Sequence, residues 1–231
     1  MGSEMCIRDR YIQTVMGYSP IEAGVAFLPF CFGLVAAAGI ASNLINRTDP
    51  RILAGIGTLM AAVALFGFSR LPYDTSFPVS DVQGSYWSDL LPYILMMSVG
   101  MGLVFVPLTL TAVHHLRAED SGIGSGVLNT MQQVGGALGL SLLGTIATQT
   151  FNDRMGTLGS AAQQAGGSLS PSQLEQVQTL AFHQAFTEGA THAFLLGSVL
   201  MLVASVVTWA FLNVKHTELA TDGPEVVHAG V

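Results

Sequence analysis

Five stretches of this chain, residues 23–46, 52–69, 90–116, 121–152 and 189–214, contain no Asp, Glu, Lys or Arg. They are 24, 18, 27, 32 and 26 residues long and cover more than half of the 231. A helix rises ~1.5 Å per residue, so about 20 consecutive apolar residues cross a ~30 Å hydrocarbon layer. Each stretch is close to one crossing. Charged residues make up 10% of the chain, against roughly 25% in an ordinary globular domain. Hydrophobic residues reach 50% and the mean hydropathy is +0.53. One soluble core cannot absorb that much uncharged surface. A soluble enzyme, a nucleic-acid binder and a disordered chain are excluded, and the lipid bilayer is the first partner. The sequence predicts an all-α membrane protein with five transmembrane helices.

Turn chemistry places the spans at about 20–44, 52–69, 90–113, 121–147 and 190–212. Gly17-Tyr18-Ser19-Pro20 is a turn with a Ser cap and Pro at the first helical position. Pro29 and Pro107 lie inside spans, where neighbouring helices accommodate a kink. Tyr86 and Trp87 stand where span three begins, as interfacial aromatics do. Residues 155–174 also lack charge but are rich in Gly, Ser and Gln, which predicts a loop. Leu174, Val177, Ala181 and Phe182 follow three- and four-residue steps. They predict a short amphipathic helix over 171–186, either lying on the membrane or feeding the last span. Residues 215–231 form a polar tail.

Residues 1–10 hold Glu4, Arg8, Asp9 and Arg10, and no apolar core follows a basic start. They are not a signal peptide. They read as an artefactual leader, set aside together with Cys6, and 11–17 reads as the end of an element cut off upstream. Beyond the leader, Arg47, Arg51, Arg117 and Lys215 lie on one side of the membrane, and Arg70 and Arg154 on the other. The excess puts the short hinges and the C-terminus in the cytoplasm.

Span four carries the most information. Gly122/Gly126 and Gly135/Gly139 are both G-x-x-x-G pairs, which let helix backbones approach closely in lipid. Gln132 is 11 residues past Ser121, about 16 Å deep and so near the midplane. Asn129 lies one turn nearer the cytoplasm. These amides either hydrogen-bond neighbouring helices or line a substrate cavity. Gln132 and Gln133 point about 100° apart, so both can hardly serve one helix contact. Gly126 and Gly136 are expected to share a side. In span three, Met96, Met97, Met101 and Phe105 form a soft apolar stripe, suited to ordinary packing or to a permissive binding surface.

No carboxylate lies deep in a span. Glu22 reads as an interfacial acid favoured by the helix dipole, so a proton relay is expected outside this chain. His192 is interfacial. His114-His115 lack acids or cysteines at ligand spacing, and no metal is expected. Walker A, G-x-S-x-G and H-E-x-x-H motifs are absent from the sequence, so ATP-driven transport and hydrolysis have no support.

Three sets of residues carry a family resemblance. They are Gly17-Tyr18-Ser19-Pro20 with Ala23-Gly24 and Leu28-Pro29, the run from Gly102 through Thr109, and the run from Ser125 to Gly139. Over 11–215 the chain resembles the C-terminal lobe of major facilitator superfamily exporters, more narrowly the fourteen-span drug:proton antiporters. The resemblance implies the last five helices of a six-helix lobe. The lobe's first helix is then absent except for 11–16, and so is the N-terminal lobe, the expected partner. Each lobe is an inverted three-plus-three repeat, which puts spans one and four at the lobe–lobe interface. Span three then lines the cavity, and spans two and five face lipid.

The implied substrates are small amphipathic compounds, often cationic, exported across the plasma membrane by proton antiport. The proton gradient supplies the energy and no cofactor is needed. Asn129, Gln132, Gln133, Met97 and Met101 are the expected substrate contacts. Asn46, Arg47, Arg51, Gly122, Gly126 and Gly136 are the expected gating and interface residues. The family's cytoplasmic motif, Gly-x-Leu-Ala-Asp-Arg-x-Gly-x-Arg, is altered here. Ser42, Asn46 and Asp49 replace the first Gly, the Asp and the second Gly, while Leu44, Arg47 and Arg51 remain. Asn46 removes the charge from the family's latch. Two alternatives stand: an exporter of an endogenous metabolite or antibiotic on the same scaffold, or a non-transporting membrane interaction module.

Overall fold

The computed structural model describes residues 19–72, 86–113, 120–165 and 171–212. The leader, the segment 11–18, His114-His115, Arg117 and the tail lie outside the described residues. Five helices long and apolar enough to cross a membrane are present. They are α1 (Pro20–Leu44), α2 (Pro50–Phe68), α3 (Leu91–Val113), α4 (Ser121–Ala165) and α5 (Pro171–Phe211). One π-helical turn, Tyr86–Leu90, leads into α3.

Local chemistry sets the start of α1. The Ser19 hydroxyl accepts from the Glu22 N–H at 3.3 Å, and the Glu22 carboxylate accepts from the Ser19 N–H at 2.9 Å. This reciprocal cap satisfies two donors that a helix start leaves orphaned. Glu22 is therefore a capping residue. Pro29 has no N–H to offer the carbonyl one turn back. Close by, the Tyr86 hydroxyl donates to the Ala26 carbonyl at 2.7 Å, tying the π turn to α1. At the other end, Arg47 and Thr48 N–H groups both donate to the Leu44 carbonyl, and Pro50 then opens α2.

The centre of the bundle is α2. It packs on α3 and α5, and α3 also packs on α1. Span two was expected to face lipid. Only its Ile52, Ile56, Leu59, Val63 and Phe66 stripe is exposed; Arg51 and Met60 are half-buried and the rest is buried. The reason is its small residues. A methyl group at Gly57 would lie 2.5 Å from the Gly100 carbonyl oxygen, and one at Gly100 2.7 Å from the Gly57 carbonyl oxygen. Gly55 makes room in the same way for the Trp209 ring, and Gly67 for the Tyr93 ring. On the other side of α3, a methyl at Gly102 would lie 2.6 Å from Ala37 Cβ. Backbones that approach this closely gain dispersion contacts that lipid does not displace. Two hydroxyls fasten α5 to α2: Ser198 donates to the Ala62 carbonyl at 2.9 Å, and Ser205 to the Gly55 carbonyl at 3.3 Å. Phe68, against Phe194 and Tyr93 at ring separations of 5.4 and 5.8 Å, fills the centre with Leu65, Leu90 and Ile94.

The last two helices overrun their expected bounds. α4 has 45 residues and α5 has 41, about 68 and 62 Å long, twice the hydrocarbon thickness. The loop expected over 155–174 is helical through Ala165, and the short amphipathic helix is the first part of α5. Packing between the two helices explains this. The Phe151 and Phe182 rings meet edge-on at 5.3 Å, Leu158 packs with Ala181, and Arg154 Nε lies 3.2 Å from Glu188 Oε2. Such pairing overrides the low helix propensity of Gly156 and Gly159.

Candidate functional site

From Ser121 to Leu142 no residue of α4 is buried; Leu143, at 4% exposed, is the first. Gly122, Gly126, Gly135, Gly136, Gly139 and Gly144 have no non-local atom within 4 Å of where a methyl group would sit. The G-x-x-x-G pairs of span four therefore make no close helix contact in this chain. The close approaches are made instead by Gly33 of α1, by glycines of α2 and α3, and by Gly189 of α5. The free half of α4 stands away from α3 and α5, and a cleft of about 640 Å³ opens between the three helices.

Three walls form the cleft. α3 contributes Met101, Val104, Phe105, Leu108 and Thr109. α5 contributes Gly197, Leu200, Met201 and Ala204. α4 contributes Leu128, Gln132, Gly135, Gly139 and Leu143, with Gln133 and Gly136 at the edge of that face. The steps 128, 132, 135, 139 and 143 trace one helix face. Large apolar side chains, Ile123, Val127, Met131, Val134 and Leu138, run along another and are exposed. The result is an apolar slot with two carboxamides and one hydroxyl. Met and Phe supply polarizable, adaptable surface, while each amide offers donors and an acceptor to an oriented polar group.

The expected contacts divide. Gln132, Gln133 and Met101 meet at the cleft. Asn129 is exposed and is not among the lining residues. Met97 is 6% exposed and packs in the core beside Ile94 and Ala190, so it does not reach the cleft. Gly126 and Gly136 do not share a side: ten residues are about 2.8 turns, which leaves them about 80° apart. Gly136 lies along the cleft and Gly126 outside it. The lining residues missed by sequence reasoning include Val104, Leu108 and Thr109 of α3, Leu128 and Leu143 of α4, and the whole α5 wall. On α3 and α5 the signal was a helical repeat, 101-104/105-108 and 197-200/201-204, buried in uniformly apolar sequence.

At the hinge, Asn46 and Arg47 are exposed. Arg51 is half-buried and its guanidinium lies 5.7 Å from the centre of the Trp209 ring. A cation over an indole face is attracted by the ring quadrupole. This Arg thus joins the start of α2 to the end of α5.

Comparison with known proteins agrees with this architecture. The family model for the Major Facilitator Superfamily matches residues 9–140. The puromycin resistance protein pur8 of Streptomyces alboniger is 32% identical over 220 residues, covering 92% of this chain and 37% of that protein. The cephamycin export protein CmcT of Amycolatopsis lactamdurans is 32% identical over 155 residues, 67% of this chain and 29% of that protein. The tetracenomycin C resistance and export protein of Streptomyces glaucescens is 30% identical over 143 residues, 62% of this chain and 25% of that protein. The chain spans about a quarter to just over a third of the length of the curated relatives it matches. It belongs to the Major Facilitator Superfamily of multi-pass membrane transporters, and it is similar to members named for antibiotic resistance and export.

Proposed function

We propose that this chain forms most of one lobe of a secondary transporter that exports small amphipathic compounds across the plasma membrane by proton antiport. The observation that carries the reading is the cleft: an apolar slot with Gln132 and Gln133 set against Met101, Phe105 and Met201. The coupling acids of that antiport are assigned to other parts of the transporter. The hinges and the C-terminus face the cytoplasm and the α4–α5 hairpin faces outward. The open Gly122, Gly126 and Asn129 side of α4 faces the N-terminal lobe. The transporter moves its substrate and breaks no bond in it. Relatives named for resistance to single antibiotics, or for their export, support a narrower variant, in which one endogenous antibiotic or metabolite is the cargo.

One observation favours a second reading. Gly135, Gly136, Gly139, Gly197 and Ala204 wall the same slot, and small residues of this kind also admit another helix. In that reading a further helix of the lobe fills the slot and the amides bond to it. Gln132→Leu in the full-length transporter separates the two. If the cleft admits substrate, resistance to polar-headed compounds falls by about 3- to 10-fold relative to the rest, the loss of one hydrogen bond of about 0.5–1.5 kcal/mol, at unchanged expression. If a helix fills it, folded yield falls and all compounds are affected alike.

A further inference from the structure

The two long helices touch along only part of their length. From Leu143 onward α4 packs on α5; before it, no residue of α4 is buried. The zipped part starts at one backbone contact: a methyl group at Gly189 would lie 2.5 Å from the Ala147 carbonyl oxygen. It continues through the Phe151–Phe182 ring contact, the 3.2 Å Arg154–Glu188 ion pair and the Leu158–Ala181 contact. The steps 147, 151, 154 and 158 are the three- and four-residue spacing of a coiled-coil seam. The pair is mostly buried, its side chains being 16% and 18% exposed, and Arg154 Nε and Glu188 Oε2 face each other without a hydrogen bond, so it acts through charge, and removing one partner would leave a partly desolvated charge. The free part runs 22 residues from Leu143 back to Ser121, about 33 Å. α3 touches it only lightly.

We propose that this hairpin is a clasp that sets how far the free half of α4 stands from α3, with Arg154, Glu188 and Gly189 as its positioning residues. The ion pair and the aromatic contact fix the angle between the two helices, and the Gly189–Ala147 approach is the fulcrum. A change of a few degrees at the clasp is magnified along the free arm. The inference goes beyond the transport reading and holds whether the cleft admits a compound or a helix.

The test is a spin-label distance measurement on the whole chain in lipid nanodiscs, with Cys6→Ser and Cys31→Ser and each labelled chain diluted into unlabelled Cys-free chain so that only distances within one chain are read. Labels at Ser125→Cys on α4 and Thr109→Cys on α3 report the arm; labels at Val35→Cys on α1 and Leu59→Cys on α2 report the rest of the bundle. Glu188→Arg should move or broaden the 125–109 distance by about 3 Å, a ~5° tilt over a ~33 Å arm, with the 35–59 distance unchanged. Arg154→Glu added to Glu188→Arg should restore the original distribution. Gly189→Ala, which keeps every charge, should shift the same distance, and it decides the matter if the charge variant does not fold. Unchanged 125–109 distances, a double swap that fails to restore them, or an equal shift at 35–59 would overturn the proposal. No substrate is present, so failure of the transport reading leaves this result untouched.

Discussion

Gln132 and Gln133 are chemically identical, and only the helical turn between them separates their environments. Gln132 sits within the 128-132-135-139-143 face and Gln133 at its edge. Gln133→Leu should therefore change the substrate profile less than Gln132→Leu, by no more than about 3-fold for any compound against the loss of one full hydrogen bond. Growth of an efflux-deficient host across a panel of amphipathic cations measures both. The glycines make an independent prediction. Gly57→Ala and Gly100→Ala push a methyl into a carbonyl oxygen on the facing helix. Each should cost about 1–3 kcal/mol, as overpacking does. Gly122→Ala and Gly126→Ala meet open space and should not destabilise, the better helix propensity of Ala adding up to about 1 kcal/mol. Unfolding midpoints of this chain in detergent distinguish the two pairs.

Elements differ in how far their sequence announces them. The five crossings were readable because a charge is too costly in hydrocarbon to leave a span unmarked. The start of α1 was readable because the Ser19 cap and Pro20 are adjacent, whereas Glu22, read as an interfacial acid, closes the cap from the same turn. The place of α2 was not readable: Ala and Gly are bland on a hydropathy scale, yet in lipid they are the residues that bring helices together. The hairpin was not readable either. Gly156, Gly159 and a run of Gln and Ser argue for a loop, and the helix there depends on partners about 30 residues away in sequence, such as Glu188 for Arg154. At the cleft, the amides and Met101 stood out as chemistry, whereas the α5 wall, Gly197 to Ala204, looks like any apolar helix. The hairpin helices also make a prediction of their own. Backbone amides over 148–160 should exchange with solvent at least tenfold more slowly than a loop, and Glu188→Arg should speed them. Hydrogen exchange read by mass spectrometry would show a loop there as uniformly fast exchange.

For the whole molecule, the free arm of α4 presents Ile123, Val127, Met131 and Leu138 beside unpartnered glycines and amides. The chain on its own should therefore self-associate in detergent, and light scattering with size exclusion should give a mass above that of one 24.3 kDa chain. In the full transporter the same arm forms one wall of the proposed substrate slot. The most direct measurement is thiol labelling of single cysteines, in a Cys-free full-length background, at Leu128, Gly135 and Gly139 on the cleft face and at Val127, Val134 and Leu138 on the outer stripe. A saturating exported lipophilic cation should slow labelling at 128, 135 and 139 several-fold and leave 127, 134 and 138 unchanged. Equal protection of both faces, or none at the cleft face, would contradict the assignment of this cleft as the substrate site.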